Sequence, residues 1–214
     1  EQILSSHSQV FGAGELGDIN RLGHNLALGI VPPEKNALDK FRNLYLAKIS
    51  KISNQSGFVV DKNPQNFYFI GLISKALPEA KIVVMERDGA AVCWSNFKTN
   101  FVTQSRSMGF SYNLDDVTKY YKQYRSLIGF WDAKIRESYY KLNYDRLTKN
   151  QEIETSQLLS YIGLEFESAC MKPHLNAKVV KTASYLQVRK KIYTGSNKKW
   201  EVFKPLLSGK LDGL

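Results

Sequence analysis

The stretch from Val59 to Phe97, VVDKNPQNFYFIGLISKALPEAKIVVMERDGAAVCWSNF, limits the possible folds of this chain more than any other. Phe58-Val59-Val60 is a short aromatic and β-branched run, as a strand requires. Asp61-Lys62-Asn63-Pro64 interrupts it, and Pro64 suits the first turn of a helix, where a missing N–H costs nothing. Phe67, Ile70, Ile73 and Leu77 then recur at helical spacing. Pro78 stops that helix, and Lys81-Ile82-Val83-Val84-Met85 is the apolar run expected of a parallel strand covered on both faces. Strand, crossover helix and parallel strand make a right-handed βαβ unit. Glu86-Arg87-Asp88-Gly89 follow, and in open α/β sheets ligands gather at the carboxyl ends of the strands. Arg87 stands at such an end, and a helix starting near Asp88 carries Ser95 about two turns in. An arginine fork and a serine hydroxyl so placed can hold a phosphate.

DKNPQNF followed by KIVVMERDGAAVCWSNF resembles the PAPS-dependent sulfotransferases, above all the bacterial and protein-tyrosine branch. The resemblance implies an α/β fold with a central parallel sheet flanked by helices, in P-loop-like topology. It implies transfer of a sulfuryl group from PAPS (3′-phosphoadenosine 5′-phosphosulfate) to an acceptor hydroxyl or amine. Arg87 and Ser95, eight residues apart, match the pair that binds the nucleotide 3′-phosphate in that family.

Other blocks extend the resemblance. ILSSHSQVFGAGEL is similar to the family segment directly after its phosphosulfate-binding loop, so that loop is expected upstream of Glu1. The chain also begins without Met, and is expected to be a sulfotransferase domain over residues 1–214 cut from a longer polypeptide, with an upstream helical-repeat region as in many bacterial relatives. Glu15 matches the catalytic carboxylate that takes the proton from the acceptor; read from the residues alone, it more simply caps the next helix. Lys62 matches a lysine that stabilises charge on the leaving phosphate or the transferring sulfuryl group; its plainer role is an exposed loop lysine. Tyr68 stands where tyrosine-modifying relatives place another lysine, which argues against tyrosine as acceptor.

Asn113 is a good N-cap for a long helix on which Leu114, Val117, Tyr121, Tyr124, Ile128 and Trp131 repeat at core spacing. Phe101 to Tyr112 before it reads as a loop over the site. Tyr139 to Tyr144 is a strand followed by Asp145-Arg146-Leu147, where the family reads YEDL; Tyr144 matches the residue beside the adenosine. A helix from Gln151 ends at Gly163. TASYLQVRKKIYTGSNKKW resembles the closing nucleotide-binding segment, and Ser184 and Lys199 match positions at the 3′-phosphate or adenosine end.

The chain carries a net charge of +10 in 214 residues. Ten Lys or Arg against two acids fall in the 44 residues from Met171 onward, a concentration that points to a polyanionic ligand. Nucleic acid is the obvious alternative, but no helix-turn-helix, zinc spacing or aromatic RNA-binding signature supports it. Cys93 and Cys170 are too few for a disulfide framework or metal cluster. No apolar run approaches the ~20 residues of a membrane span, and with no signal peptide the expected location is cytoplasmic. No metal is expected, on the ground that no Walker-B-type acid serves the Lys81–Met85 strand. A Mg²⁺-dependent kinase of related topology and a non-catalytic polyanion-binding domain are the alternative functions. Carbohydrate, protein, lipid and small phenol are all open as acceptors.

Overall fold

The structure is a computed structural model; it describes residues 1–53, 56–101, 106–178 and 185–214, apart from the side chains of 106, 107 and 185. After a 3₁₀ turn at Leu4–Ser6, strand β1 (Val10–Gly14) leads to helices α1 (Asp18–Ala27) and α2 (Lys35–Ile52). Strand β2 (Phe58–Asp61), a 3₁₀ turn at Pro64–Phe69 and helix α3 (Ile70–Ala76) follow. Next come β3 (Ile82–Glu86), α4 (Gly89–Lys98), a 3₁₀ turn at Arg106–Tyr112 and α5 (Leu114–Ile135). Strand β4 (Tyr139–Asn143) runs into α6 (Tyr144–Lys149) and α7 (Gln151–Ile162), and the rest of the described chain is mostly short turns.

Local sequence explains many of these boundaries. The Asn63 side chain accepts from Gln65 N at 3.0 Å, and Pro64 occupies the first turn as expected. Asn113 caps α5 by accepting from Asp115 N at 2.8 Å. Gly163 ends α7 with φ 90°, a left-handed conformation that a side chain would disfavour. Before β1 the chain makes a single 3₁₀ turn, Leu4–Ser6, closed at His7. Of the expected Phe101–Tyr112 loop, 106–112 form a 3₁₀ turn and 102–105 lie outside the described residues.

The strands pair in parallel, but not by nearest neighbours in sequence. β1 pairs with β2, from Val10 with Phe58 to Gly14 with Asp61. β3 pairs with β4 in unbroken register, from Ile82 with Tyr139 to Glu86 with Asn143. The expected β2–α3–β3 crossover therefore links two ladders rather than two hydrogen-bonded strands. One core unites them: Val10, Phe58, Val60, Val83 and Leu142 pack with Leu158, Leu159 and Ile162 of α7. Val84 and Tyr139 face the other way, onto Ile70 of α3 and Ile128 of α5. That period-two alternation puts helices on both faces of the β3–β4 ladder, which is why β3 opens on the apolar run Ile82 to Met85. A third cluster packs α1, α2 and α3 together around Phe41, which is 2% exposed. The last, around Cys93 and Val117, docks Trp200, Leu207 and Leu211 of the tail. Cys93 is a small core residue, and burial pushes its thiol up to about 12.

Candidate active site

Register decides what stands at the end of the β3–β4 ladder. Glu86 is level with Asn143, so the next residues, Arg87 and Tyr144, emerge side by side at the carboxyl end. The Arg87 guanidinium lies over the Tyr144 ring, 4.8 Å from its centroid. Its Nε donates to Asn197 Oδ1 at 2.6 Å and its Nη2 to Ser196 Oγ at 3.4 Å. Gly195, with φ 83°, makes the turn that presents Ser196 and Asn197 to it. The Asn197 amide in turn donates from Nδ2 to Asp145 Oδ2. Every partner of Arg87 among the described residues is thus uncharged, and its charge stays available to an anion. Nη1 has no partner among those residues and Nη2 has a second hydrogen, which leaves two donors that a phosphate oxygen pair fits.

Ser95 lies six residues into α4, whose first turn is capped by Asp88 accepting from Ala91 N at 2.7 Å. No hydrogen bond joins Ser95 to Arg87 among the described residues, but α4 packs on the Ser196–Lys198 turn that touches Arg87. Lys199 is two residues beyond Asn197; it is exposed and sits over the Tyr193 ring at 4.9 Å rather than beside Arg87. Ser184 falls outside the described residues.

Glu86, which ends β3, is an acid at the place where none had been expected. It is engaged by Lys141 Nζ at 3.1 Å and Arg125 Nη1 at 3.9 Å, and Lys141 also meets Asp132 at 2.6 Å. The acid thus belongs to an ion network beneath the strand end. Among the described residues no three His, Cys, Asp or Glu side chains cluster as metal ligands.

Glu15 and Lys62 meet at the carboxyl end of the β1–β2 ladder, where Lys62 Nζ donates to Glu15 Oε1. Glu15 Oε2 has no partner among the described residues. The helix-cap role for Glu15 is not what the fold uses: Gly17 is the N-cap of α1, and Asp18 supplies the acid of its first turn. The loop carrying Glu15 is held on both sides. Lys62 N donates to Gly14 O at 2.9 Å, Leu16 N to Asp61 Oδ1 at 3.3 Å, and Asn63 Nδ2 to Leu16 O at 3.0 Å. Asp61 is fixed by Tyr45 Oη, which donates to its Oδ2 at 3.0 Å. Burial raises the Asp61 carboxyl above its ordinary range, against the hydrogen bonds that favour its charged form. On the other side, Gly14 N donates to Glu1 Oε1 at 3.0 Å, and Lys178 Nζ binds that same oxygen at 3.1 Å.

Asp61, Asn197 and Asp145 are the residues that sequence reasoning missed here. Asp61 was visible only as a strand end, and Asn197 as a polar residue among lysines three before Trp200.

Parallel ladders with charged side chains at their carboxyl ends, and helices on both faces of the β3–β4 ladder, define an α/β domain. The family model described as "Sulfotransferase family" matches residues 1–168, and the chain belongs to that family. An uncharacterized protein of Aquifex aeolicus (strain VF5) is 31% identical over 222 residues, which cover 97% of this chain. The chain spans 29% of the length of that relative. Among solved structures, the sulfotransferase domain from the curacin biosynthetic pathway superposes with a TM-score of 0.60 at 16% identity. That alignment covers 94% of this chain and 84% of the other, and it shows a shared fold. Among the described residues no helix is long and apolar enough to cross a membrane.

Proposed function

We propose that this chain carries the 3′-phosphate site and the proton-transfer pair of a PAPS-dependent sulfotransferase acting on a hydroxyl or amine. The observation that carries the reading is Arg87: stacked on Tyr144, tethered by neutral groups, and left with a charged fork facing no carboxylate among the described residues. A nucleotide 3′-phosphate fits those donors, with Ser95, Ser184 and Lys199 as further candidates from the family resemblance. Tyr144 would lie against the adenosine.

Glu15, with Oε2 open, would accept the proton of the acceptor hydroxyl. The acceptor oxygen then bonds to sulfur as the bond from sulfur to the 5′-phosphate oxygen breaks, and the electron pair leaves on adenosine 3′,5′-bisphosphate. Lys62, already in contact with Glu15, would stabilise the charge that gathers on the departing phosphate. The Asp61 and Asn63 contacts hold the Leu16 backbone beside Glu15 without entering the reaction. The 5′-phosphosulfate grip, an upstream helical-repeat region and a cytoplasmic location belong to the same proposal for the whole, longer polypeptide. Nucleic acid and a membrane span have no part in it.

Calorimetry of the full-length protein with adenosine 3′,5′-bisphosphate, with heparin fragments and with ATP plus Mg²⁺ tests this reading. Binding that prefers the bisphosphate and needs no Mg²⁺ supports it. Mg²⁺-dependent ATP binding would favour a kinase, and binding that follows charge alone would favour a polyanion-binding domain.

A further inference from the structure

We infer that Asn197 is a positioning residue, oriented by Asp145, which aims the guanidinium of Arg87 while leaving its charge uncompensated; this rests on the functional reading above. The three groups form one chain of hydrogen bonds across segments far apart in sequence. Arg87 Nε donates to Asn197 Oδ1, and Asn197 Nδ2 donates to Asp145 Oδ2. Only one arrangement of the amide satisfies both ends. Arginine can only donate and a carboxylate only accept, so the oxygen must face Arg87 and the nitrogen Asp145. Asp145 thereby locks an amide that could otherwise flip.

Its place in the chain explains why the intermediate is an amide. A carboxylate beside Arg87 would orient the fork equally well, but it would also neutralise it and compete with a phosphate. With Asn197 between them, the Asp145 charge acts on the amide and stays one residue removed from the guanidinium. Ser196 Oγ takes an Nη2 hydrogen on the same edge, so the Nη1/Nη2 fork points away from the tail turn. The Tyr144 ring backs the guanidinium at 4.8 Å from its centroid, and Asn197 tethers it through Nε. The tail turn is therefore part of the nucleotide site through its effect on Arg87, independently of any direct contact with ligand.

The decisive experiment exchanges the two polar groups. The double variant Asn197→Asp/Asp145→Asn keeps size, net charge and the number of hydrogen bonds, but moves the carboxylate against Arg87. Titration of the full-length protein with adenosine 3′,5′-bisphosphate should show at least about a tenfold loss of affinity, the scale of one charge-assisted bond to the phosphate. Adenosine 5′-phosphate, which has no 3′ group, should bind within about twofold of wild type. Asn197→Ala, which removes the tether without adding a charge, should give a smaller loss in the same direction. Wild-type affinity for the bisphosphate in the exchanged variant, or equal losses for both nucleotides, would overturn the inference. Arg87→Ala serves as the reference: if it fails to discriminate between the nucleotides, the 3′-phosphate site itself is wrong, whatever Asn197 does.

Discussion

Replacing Arg87 with alanine is the most informative single perturbation of this molecule. Of the five N–H donors of an arginine, one at Nε goes to Asn197 and one at Nη2 to Ser196. The other fork can form two bonds to a phosphate, and charged hydrogen bonds contribute roughly 1.5–3 kcal/mol each. Two would give about 3–6 kcal/mol in the absence of competing terms. Arg87 is only half-buried, so solvent screens part of that attraction, and its own hydration must be given up on binding. A loss of at least about 1.4 kcal/mol, or tenfold in Kd, is the conservative expectation for adenosine 3′,5′-bisphosphate. Adenosine 5′-phosphate should be affected by less than about twofold. Arg87→Lys should fall between, because an ammonium keeps the charge and loses the planar fork. Isothermal titration at two salt concentrations separates the direct contact from the general field of a +10 chain. Equal losses for the two nucleotides would mean that Arg87 supports the fold or the field, and the phosphate assignment would fall.

Glu15→Gln should leave bisphosphate affinity unchanged and slow single-turnover sulfuryl transfer by about a hundredfold or more, since the amide cannot take the proton; unaltered turnover would leave Glu15 only as the partner of Lys62. Burial raises Asp61 from its ordinary 3.8, so the folded protein holds that proton to higher pH than the unfolded chain does. Its contribution is therefore fully present below the unfolded value and is lost as pH rises through the folded one. Asp61→Asn should gain stability relative to wild type across that window, and a pH-independent difference in urea midpoint would contradict this. A Cβ on Gly71 would stand 2.2 Å from Cη2 of Trp131, with two more ring atoms within 2.9 Å. Gly71→Ala should accordingly cost roughly 1–3 kcal/mol and lower Tm; an unchanged Tm would show that Trp131 can swing aside at no cost.

The elements legible in the sequence were those whose signals are local. Asn113 and Gly163 announce a helix start and a helix end within a few residues. The β3 run is largely apolar because helices cover both faces of its ladder. Arg87 and Tyr144 could each be placed at a strand end, and the parallel register then brings them together. Strand partnership was less legible: nearness in sequence favoured pairing β2 with β3, whereas each ladder closes over a longer two-helix crossover. Asn197 was the hardest to see. Its partners lie 110 and 52 residues away, and no periodicity encodes a hydrogen bond between a tail turn and a strand end. Lys199 shows the converse difficulty, for its place in a matching block did not reveal that Tyr193 is its neighbour.

The separation of 110 residues between Arg87 and Asn197 has a consequence for biosynthesis. Both ladders and the helices that cover them are encoded before residue 163, whereas the turn that tethers Arg87 follows 33 residues after α7 ends at Ile162, at Gly195. A ribosome adding about 5–20 residues per second leaves a nascent chain for a second or more with both ladders synthesised and its arginine unclasped. Completion of the Arg87 cluster thus waits for Ser196 and Asn197 to clear the exit tunnel. A polypeptide interrupted in that interval would carry both ladders but would lack Asn197 and also Trp200, Leu207 and Leu211, which complete the core cluster around Cys93.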